Sequence, residues 1–534
     1  MDSKDGSLKS SVLFGVLIVS LGTFNYGFNA ASLNIPEKYI RYCHDVPPGI
    51  VTYYPNSSLP QCIPMSDWIW GLVTGFFAIG GLLGSLIASP LTERLGRRDT
   101  MLVVNVNFFI GALLLSLSTT SAQFALGRLI VGIGAGAMTV AVSMYIAETT
   151  PSRYRGTMGS YLQLFITIGI FIVEIVGLGT SSYIGWRIIV MLTIVPTIIQ
   201  IICLPFCVRS PRWLITKGRI DEARESLLRL RHGDIEQEFA EMISSSSTTI
   251  KMDDVNNHHH IMDPHKEDVE KEYHQDKEVD KDHDSAAGFK NTSPTITVAD
   301  NPSQPEITLH IFQIIKIPVL AKLTVKVLLI HILSQITGIN AIMNYSTSIF
   351  EATFQENAKY ATIGVGALNV LMTLVGSFLI DRLGRKLLLI ISSAGMCIFG
   401  ILEMVGLLFN NGALQVVCVL LFVAFFAVGL GIIPYVYTTE VFPTYAVSGA
   451  SSAASVFNWL FNFIIVLIFP TLQRNLGPYV FLIFAGIAFF SLIFFIVFIP
   501  ETKQKSIEDI GKYFGWYGLD PTNYTQKHKA NLEL

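Results

Sequence analysis

The feature that most constrains the fold is a charged cassette of nine residues that occurs twice, each time between long apolar runs. Its copies are Leu91-Thr-Glu-Arg-Leu-Gly-Arg-Arg-Asp99 and Leu379-Ile-Asp-Arg-Leu-Gly-Arg-Lys-Leu387, in which Arg94 and Arg382 are 288 residues apart. A second repeated segment, Glu148-Thr-Thr-Pro151 and Glu440-Val-Phe-Pro443, has an offset of 292 residues. Two unrelated landmarks that share nearly one period indicate an internal duplication. Charged cassettes between membrane-length runs, repeated in two halves, are typical of transporters.

Twelve apolar runs of bilayer length follow one another along the chain in two groups of six. Hydrophobic residues make up 51% of the sequence and charged residues only 14%, which excludes a soluble domain of this length. About twenty apolar residues span a bilayer core. The runs lie at roughly 11–33, 67–91, 100–119, 122–147, 157–180, 184–207, 322–350, 357–380, 387–410, 413–439, 446–472 and 477–499. The sequence therefore predicts an all-α membrane protein with twelve transmembrane helices in two six-helix halves.

The domain organisation follows from these runs. We predict a cytoplasmic N-terminus (1–10), an N-terminal bundle (11–207), a cytoplasmic helical segment (208–232), an insert (233–305), a C-terminal bundle (306–499) and a cytoplasmic tail (500–534). The basic residues of the short loops fall on one side of the alternating helices, and the positive-inside rule assigns that side to the cytoplasm. Both termini are therefore expected in the cytoplasm, and the plasma membrane is the expected location.

The insert differs in composition from the rest of the chain. It carries seventeen acidic residues, six basic residues and six of the eleven histidines. Its net charge is −11, so the remainder carries +8 to give the total of −3. Such a segment buries too little apolar surface to fold alone, so we predict a disordered cytoplasmic linker. The run His258 to His260 is interpreted as polar filler, and no metal site is predicted.

The loop after the first run, 34–66, faces the outside in this topology. It contains the glycosylation acceptor Asn56-Ser57-Ser58, which suits that side of the membrane. It also contains Cys43 and Cys62. In an oxidising compartment these two cysteines bridge, or they remain free thiols; the sequence leaves both alternatives open.

Uncharged amides are the main polar groups inside the apolar runs. They are Asn25, Asn29, Asn34, Gln163, Gln335, Asn340, Asn344, Asn369, Asn458 and Asn462. An amide offers two donors and an acceptor, which matches a sugar hydroxyl. The alternative is that these amides only join helices to one another. Their number favours a polyhydroxyl cargo, and Trp459, Tyr345, Tyr435 and Phe461 are candidates to pack on the apolar faces of a sugar.

Several segments resemble the facilitative glucose transporters, in the sugar porter branch of the major facilitator superfamily. Gln335-Ile-Thr-Gly-Ile-Asn-Ala-Ile-Met-Asn-Tyr-Ser-Thr-Ser-Ile-Phe350 is similar to the helix 7 signature of that family. Other matching segments, in order, are Gly22–Asn29, Gly127–Gly132, Tyr154–Gly156, Ser210–Arg212, Gly431–Pro434, Phe457–Trp459, Gly477–Phe481 and Pro500–Lys503. The resemblance covers about 11–231 and 310–515.

The resemblance implies a central sugar site with monosaccharide as the substrate, built mainly from amides. The matching residues are Gln163, Gln335, Asn340, Asn369 and Asn458. We expect Trp459, Tyr435 and Ser334 beside them. Ser334 replaces a family glutamine, Tyr435 replaces a tryptophan and Ala427 replaces an acidic residue. These departures argue against a strict preference for glucose, while hexose transport remains the expectation.

The expected energy source follows from one helix 1 position. Proton-coupled relatives carry an aspartate there, facing an arginine; this chain has Asn29, with Arg128 as the arginine. An amide does not exchange a proton near neutral pH, so facilitated diffusion by uniport is expected. Glu174 and Glu403 lie in apolar runs and keep proton-coupled symport as the alternative.

Other functional classes fit less well. A membrane enzyme would need a nucleophile–base pair or a metal cluster in the runs, where His331 is the only histidine. We predict no enzymatic activity, no cofactor, no nucleic-acid partner and a monomer in the lipid bilayer. A sugar-sensing receptor of the same fold remains an open alternative, because such relatives differ mainly in their cytoplasmic extensions.

The duplicated cassettes imply a cytoplasmic gate between the halves. The expected gate residues are Arg94, Glu148 and Arg155 in one half, with Asp381, Arg385 and Glu440 in the other. The alternative is ordinary solvated loop charge, which contributes under about 1 kcal/mol per exposed pair. Val447 stands where the family has an arginine, and Arg209 replaces a glutamate. We therefore expect the gate to rest mainly on the N-terminal half.

Overall fold

The structure is a computed structural model that describes residues 8–41, 43, 50–180, 182–247, 309, 311–354, 358–505 and 507–519. Within these residues, twelve helices are long and apolar enough to cross a membrane. We number them α1 Ser10–Ala31, α2 Asp67–Leu95, α3 Arg97–Ser116, α4 Ser121–Thr149, α5 Arg155–Gly179, α6 Gly185–Phe206, α7 Pro318–Thr347, α8 Ala358–Leu383, α9 Arg385–Leu408, α10 Gly412–Val441, α11 Thr444–Leu476 and α12 Val480–Phe498. Each overlaps one of the twelve predicted runs, so the predicted all-α fold is confirmed.

Each half has its own apolar core. Buried side chains from α1 to α6, such as Val16 and Phe108, form one cluster, and those from α7 to α12, such as Leu320 and Phe422, form another. Many large apolar side chains remain exposed on the outer faces, for example Phe490 on α12. Exposure of this kind is expected for helices whose outer faces contact lipid.

Glycines allow neighbouring helices to approach closely in the N-terminal half. A Cβ atom on Gly136 of α4 would lie 1.9 Å from the carbonyl oxygen of Gly81 on α2. A Cβ on Gly27 of α1 would lie 1.9 Å from the carbonyl oxygen of Ile166 on α5. Small residues at such crossings let membrane helices pack through their backbones.

Helices α7 and α10 are each interrupted halfway along their length, and α6 also has a short break at residues 192 and 193. The span α7 is built from two helical segments, Pro318–Ile336 and Ile339–Phe354, of which the second continues past the end of the span. They are separated at Gly338, whose φ is +95°. In α10, segment Gly412–Val428 ends before a turn, and Ile433–Val441 resumes the helix. Irregular backbone at membrane depth is tolerated only where protein or a cavity surrounds it, so these breaks indicate where a site lies.

The residues that connect α1 to α2 are held against the ends of α5 and α6. Cys43 and Cys62 form a disulfide with Cα atoms 5.4 Å apart, so the alternative of two free thiols does not hold in this structure. The Trp186 indole donates to Gln61 O at 2.9 Å. We call this side of the molecule the loop side. Asn56 lies there in an exposed turn.

The opposite side, where α6 leads towards the insert, is the insert side. Helices Pro211–Thr216 and Ile220–Leu230 lie within the predicted helical segment 208–232. A further helix, Glu236–Ser247, lies within the region whose charge predicts the disordered insert. It packs because Phe239 and Met242 are spaced to face the same apolar cluster. Residues 248–305 of the predicted insert, including the histidine run, lie outside the described residues.

The predicted tail also contains a helix. Ile507–Phe514 packs under the C-terminal half, and the Trp516 indole donates to Val441 O at the end of α10, at 3.0 Å. The Glu501 carboxylate accepts hydrogen bonds from the backbone N–H groups of Arg385 and Lys386, at 2.9 and 3.0 Å. A carboxylate at a helix N-terminus is favourable, so this residue stabilises the start of α9.

Candidate substrate cavity and gates

A cavity lies between the two halves at the level of the helix breaks. The space between the lining atoms is about 940 Å³, which includes open solvent. Both halves line it. Seven of the eight predicted binding residues are among its lining residues: Gln163, Ser334, Gln335, Asn340, Asn369, Tyr435 and Asn458. The arrangement therefore brings together amides that are up to 295 residues apart in the sequence.

The break in α7 brings two of these amides into contact. Asn340 Nδ2 donates to Gln335 Oε1 across the interruption at Gly338. Gln335 Nε2 donates to Ser334 Oγ at 3.3 Å. Because both ends of the Gln335 amide are engaged, its orientation is fixed before any cargo binds. Such preorganisation lowers the cost of ordering the site on binding.

Asn369 presents an open acceptor to the cavity. Its side chain is only 3% exposed, and its Oδ1 has no hydrogen-bond partner among the described residues. A buried polar atom without a partner costs about 1–3 kcal/mol. A cargo hydroxyl that donates to Oδ1 would remove that cost.

Trp459 is the predicted binding residue that does not reach the cavity. Its side chain is fully buried and packs against Tyr26 and Phe77, with ring centroids 4.8 and 5.5 Å away. It also lies over Gly81 of α2. Tyr26 and Phe77 themselves line the cavity. Trp459 therefore supports the aromatic wall from behind, and Tyr26 and Phe77 are lining residues that the sequence prediction missed.

At the position where proton-coupled relatives pair an acid with an arginine, Arg128 contacts the backbone of Asn29 and not its side chain. Arg128 Nη1 donates to the backbone carbonyl of Asn29 at 2.7 Å, and its guanidinium lies over the Phe77 ring, 4.6 Å from the centroid. The Asn29 side chain turns away, accepting from Thr193 Oγ1 at 3.1 Å. Across the described residues, no carboxylate lies within ion-pairing distance of Arg128. Arg128 also lines the cavity.

The N-terminal half holds an ion-pair cluster at the insert side. Arg97 Nη2 lies 2.7 Å from Glu148 Oε1, and Arg97 Nε donates to the same oxygen at 3.1 Å. Ser210 Oγ donates to Glu148 Oε2 at 2.5 Å. Arg97 also donates to Thr92 O at 3.3 Å. The cluster ties the end of α2 to α4 and to the segment after α6.

The C-terminal half repeats this cluster at the duplicated positions. Arg385 Nη2 lies 2.6 Å from Glu440 Oε1, and Thr502 Oγ1 donates to Glu440 Oε2 at 2.8 Å. Arg385 donates to Ile380 O at 3.2 Å. Here the arginine also binds Asp381, at 3.1 Å. Each half therefore has a complete set of arginine, glutamate and hydroxyl. These contacts do not support the expectation that the gate rests mainly on the N-terminal half.

Two contacts cross between the halves beside these clusters. Asp381 Oδ2 accepts hydrogen bonds from Thr157, at 3.0 Å from the backbone nitrogen and 2.5 Å from Oγ1, at the start of α5. Glu93, which is 288 residues before Asp381, accepts from Ser448 Oγ at 3.1 Å, near the start of α11. The duplication therefore places an acid at the end of α2 and of α8, each bonded to a hydroxyl of the other half.

A row of buried hydroxyl groups continues from the Glu93 contact towards the cavity. We call Ser85, Ser89, Ser448, Ser452 and Ser455 the hydroxyl seam. Ser89 Oγ lies 2.7 Å from Ser448 Oγ, and Ser85 Oγ lies 2.8 Å from Ser455 Oγ. Ser452 Oγ donates to the Ser85 carbonyl. These contacts join α2 to α11, and they must break if the halves separate on the insert side.

The predicted gate residues Arg94 and Arg155 do not belong to the two ion-pair clusters described above. The Arg94 side chain is exposed and forms no ion pair in the described part of the chain, and Arg97 takes the position expected for it. Arg155 lies near Glu440, close enough for an electrostatic interaction across the halves. It lines a smaller pocket with Arg212 and Val447.

The comparison with known proteins identifies the family. The sequence matches the family described as "Sugar (and other) transporter" over residues 15–268 and 297–514. The chain belongs to this sugar transporter family. Facilitated glucose transporter member 3 of solute carrier family 2 from mouse is 32% identical over 539 residues, covering 98% of this chain and 96% of the relative. Member 5 from sheep is 29% identical over 526 residues, covering 96% and 93%.

Solved structures of this transporter fold agree with the architecture. The proton:xylose symporter XylE bound to 6-bromo-6-deoxy-D-glucose superposes with a TM-score of 0.73 at 22% identity, covering 95% of this chain and 99% of that chain. The inward open conformation of the xylose transporter XylE from E. coli gives a TM-score of 0.62 at 21% identity, covering 94% and 99%. These likenesses show that the sugar transporter has the major facilitator fold.

The halves of the sugar transporter also contact one another on the loop side. Asn34 Nδ2 donates to Met343 O at 3.3 Å, and Thr347 Oγ1 donates to Asn34 Oδ1 at 3.2 Å. The cavity thus lies between two sets of polar contacts that join the halves, one on each side. None of these contacts is covalent.

Proposed function

We propose that this multi-pass membrane protein carries a monosaccharide, and specifically a hexose, across the membrane by alternating-access facilitated diffusion. The observation that carries the proposal is the amide-lined cavity between two duplicated halves, with polar contacts between the halves on both sides. Amides fit a cargo whose groups both donate and accept hydrogen bonds. The names of the relatives, facilitated glucose transporters, support the same substrate class.

The uniport mechanism is supported by the surroundings of Arg128. Its guanidinium contacts a backbone carbonyl and an aromatic ring, and no carboxylate of the described residues pairs with it. A coupling pair needs an acid that exchanges a proton as the cargo binds, and the amide of Asn29 does not do so. The sugar gradient alone then drives net movement.

Uptake of labelled hexose by cells that lack their own hexose transporters tests the proposal. Cells expressing this protein should take up the hexose until the internal concentration equals the external one. A protonophore should leave the initial rate unchanged. Accumulation above the external level that collapses with the proton gradient would contradict uniport.

Proton-coupled symport is the second candidate, favoured by one observation. Glu174 on α5 is 3% exposed, and its Oε2 has no hydrogen-bond partner among the described residues. It lies against Gly366 of α8, at a contact between the halves. In the uptake experiment, Glu174→Gln should abolish any gradient-driven accumulation if this residue carries the proton. Under uniport, the variant equilibrates like the wild type.

The location and modifications are proposed on the same basis. We propose the plasma membrane, with the insert side and both termini in the cytoplasm, because basic cassettes favour that side. The exposed turn at Asn56 then faces outside and is available for glycosylation. The cavity lies between the two halves of one chain, so we propose a functional monomer, with the lipid bilayer and the sugar as its partners.

A further inference from the structure

A buried histidine lies directly behind two cavity residues. His331, on α7, is 1% exposed, and its Nδ1 is 3.4 Å from Asn458 Nδ2. Its ring meets the Tyr435 ring edge to face, with centroids 5.1 Å apart. Tyr435 OH in turn donates to Asn458 Oδ1 at 3.3 Å. His331, Asn458 and Tyr435 therefore form one connected group, of which the last two line the cavity.

The other hydrogen bonds of His331 determine which ring nitrogen carries the proton. Nε2 lies 3.2 Å from Pro434 O, and a carbonyl oxygen only accepts. Nε2 also lies 3.0 Å from Thr438 Oγ1, whose hydroxyl donates to the same carbonyl at 2.7 Å. Both neighbours of Nε2 therefore act as acceptors, so Nε2 carries the hydrogen. In a neutral imidazole, Nδ1 is then the acceptor.

This tautomer fixes the orientation of the Asn458 amide. Only the NH₂ group of Asn458 can donate to Nδ1, so Oδ1 must face the Tyr435 hydroxyl, as observed. One amide hydrogen bonds His331, and the second is left for the cavity. We infer that His331 is a positioning residue that makes Asn458 a hydrogen-bond donor to the cargo. The inference deepens the proposed function and rests on it.

The cavity then offers a hydrogen-bond donor at one place and an acceptor at another. Asn458 requires a cargo atom that accepts a hydrogen bond, whereas the open Oδ1 of Asn369 requires one that donates. A sugar hydroxyl satisfies either demand. A fluorine in place of a hydroxyl can accept weakly and cannot donate. Fluoro analogues therefore separate the two contacts, because one position of the sugar should tolerate fluorine better than the other.

The test uses the full-length protein in cells that lack hexose transporters, with uptake normalised to surface amount. His331→Phe keeps a ring against Tyr435 and removes both ring nitrogens. It should raise the KM for hexose about five- to tenfold with little change in maximal rate, as expected for one lost hydrogen bond in the site. His331→Gln should recover most of the affinity, since its amide can accept from Asn458 and donate to Pro434. Ser393→Ala is the control, at a buried hydroxyl without a partner in the described structure.

Deoxy and fluoro hexoses distinguish a positioning role of His331 from a role in packing alone. If His331 only packs, its replacement should not change which position of the sugar is sensitive to loss of a hydroxyl. In the wild type, removal of the one hydroxyl that contacts Asn458 should raise the KM of the deoxy sugar. That penalty should disappear in His331→Phe and in Asn458→Ala, at the same position of the sugar. The double variant should be no worse than Asn458→Ala alone. If His331→Phe does not reach the membrane, His331→Leu provides the same comparison.

Three results would overturn the inference: an unchanged KM in His331→Phe, a His331→Gln variant as weak as His331→Phe, or additive losses in the double variant. Failure of the proposed function gives a different result. In that case the wild type and the Ser393→Ala control would take up no hexose, whereas a wrong role for His331 leaves wild-type uptake intact.

Discussion

Arg385→Ala should reduce hexose exchange by about a hundredfold or more, because it leaves a buried carboxylate unpaired in only one of two arrangements. The Arg385 side chain is 5% exposed and forms ion pairs with Glu440 and Asp381. A Cβ on Gly156 would lie 2.4 Å from Arg385 Nη2, so the start of α5 covers the cluster. Separation of the halves would expose Glu440 to water, whereas closure would bury it without the arginine that forms its ion pair. An unpaired buried charge of this kind costs about 3–5 kcal/mol.

The two arrangements of a carrier differ by only a few kcal/mol, so a penalty of that size holds the protein open on the insert side. Arg97→Ala should shift the balance in the same direction through Glu148. Arg382→Ala and Arg94→Ala are the matched controls, since they remove the same charge from exposed positions of the same cassettes. Exchange of labelled hexose and alkylation of an introduced insert-side cysteine measure the shift. Equal losses in the controls would show that cassette charge matters and the ion-pair clusters do not.

Asn369→Leu should lower kcat/KM for hexose by roughly five- to thirtyfold, the equivalent of about 1 to 2 kcal/mol. Leucine has nearly the same shape and removes the open acceptor that faces the cavity. Asn369 lines the cavity, and its Oδ1 has no hydrogen-bond partner in the described structure, so this atom is available to accept a hydrogen bond from the cargo. Steady-state uptake with the variant at equal surface amount provides the measurement.

Asn105→Leu is the matched control for this prediction. Asn105, on α3, is fully buried, and neither amide atom has a partner among the described residues, yet it does not line the cavity. Its replacement should leave kcat/KM unchanged. If both variants lose transport equally, Asn369 contributes to helix packing and not to cargo binding.

The membrane spans and most of the cavity were predictable because they depend on composition and on spacing along single helices. The amides of α7 illustrate the limit. The sequence predicts both Gln335 and Asn340 at the site, while their direct hydrogen bond depends on the break at Gly338. Side-chain direction after a helix break is not encoded in the helical period.

The same limit explains the two misplaced residues. Gly96 has φ +83° and separates α2 from α3, so Arg94 and Arg97 point in unrelated directions although both belong to the cassette. Trp459 follows Asn458 directly, and adjacent residues on a helix face different ways. Asn458 therefore faces the cavity while Trp459 packs against α2.

One half of the hydroxyl seam is visible in the sequence as a helical spacing of serines. Ser448, Ser452 and Ser455 have spacings of four and three, which place them on one face of α11. Serine is common in membrane helices, so this spacing alone does not indicate a contact between the halves. The contact becomes evident only because Ser85 and Ser89 of the other half lie opposite. Contacts between distant segments are what a single sequence does not supply.

The two halves are expected to alternate around the amide cavity without an ion gradient, and counterflow in liposomes containing the purified protein tests this most directly. Vesicles loaded with unlabelled hexose and placed in a trace of labelled hexose, with no pH difference, should accumulate label transiently above the external level. Vesicles without internal sugar should only equilibrate, and an imposed pH gradient should not change that end point. Hexose binding without counterflow, or concentration of hexose driven by the pH gradient, would contradict the account.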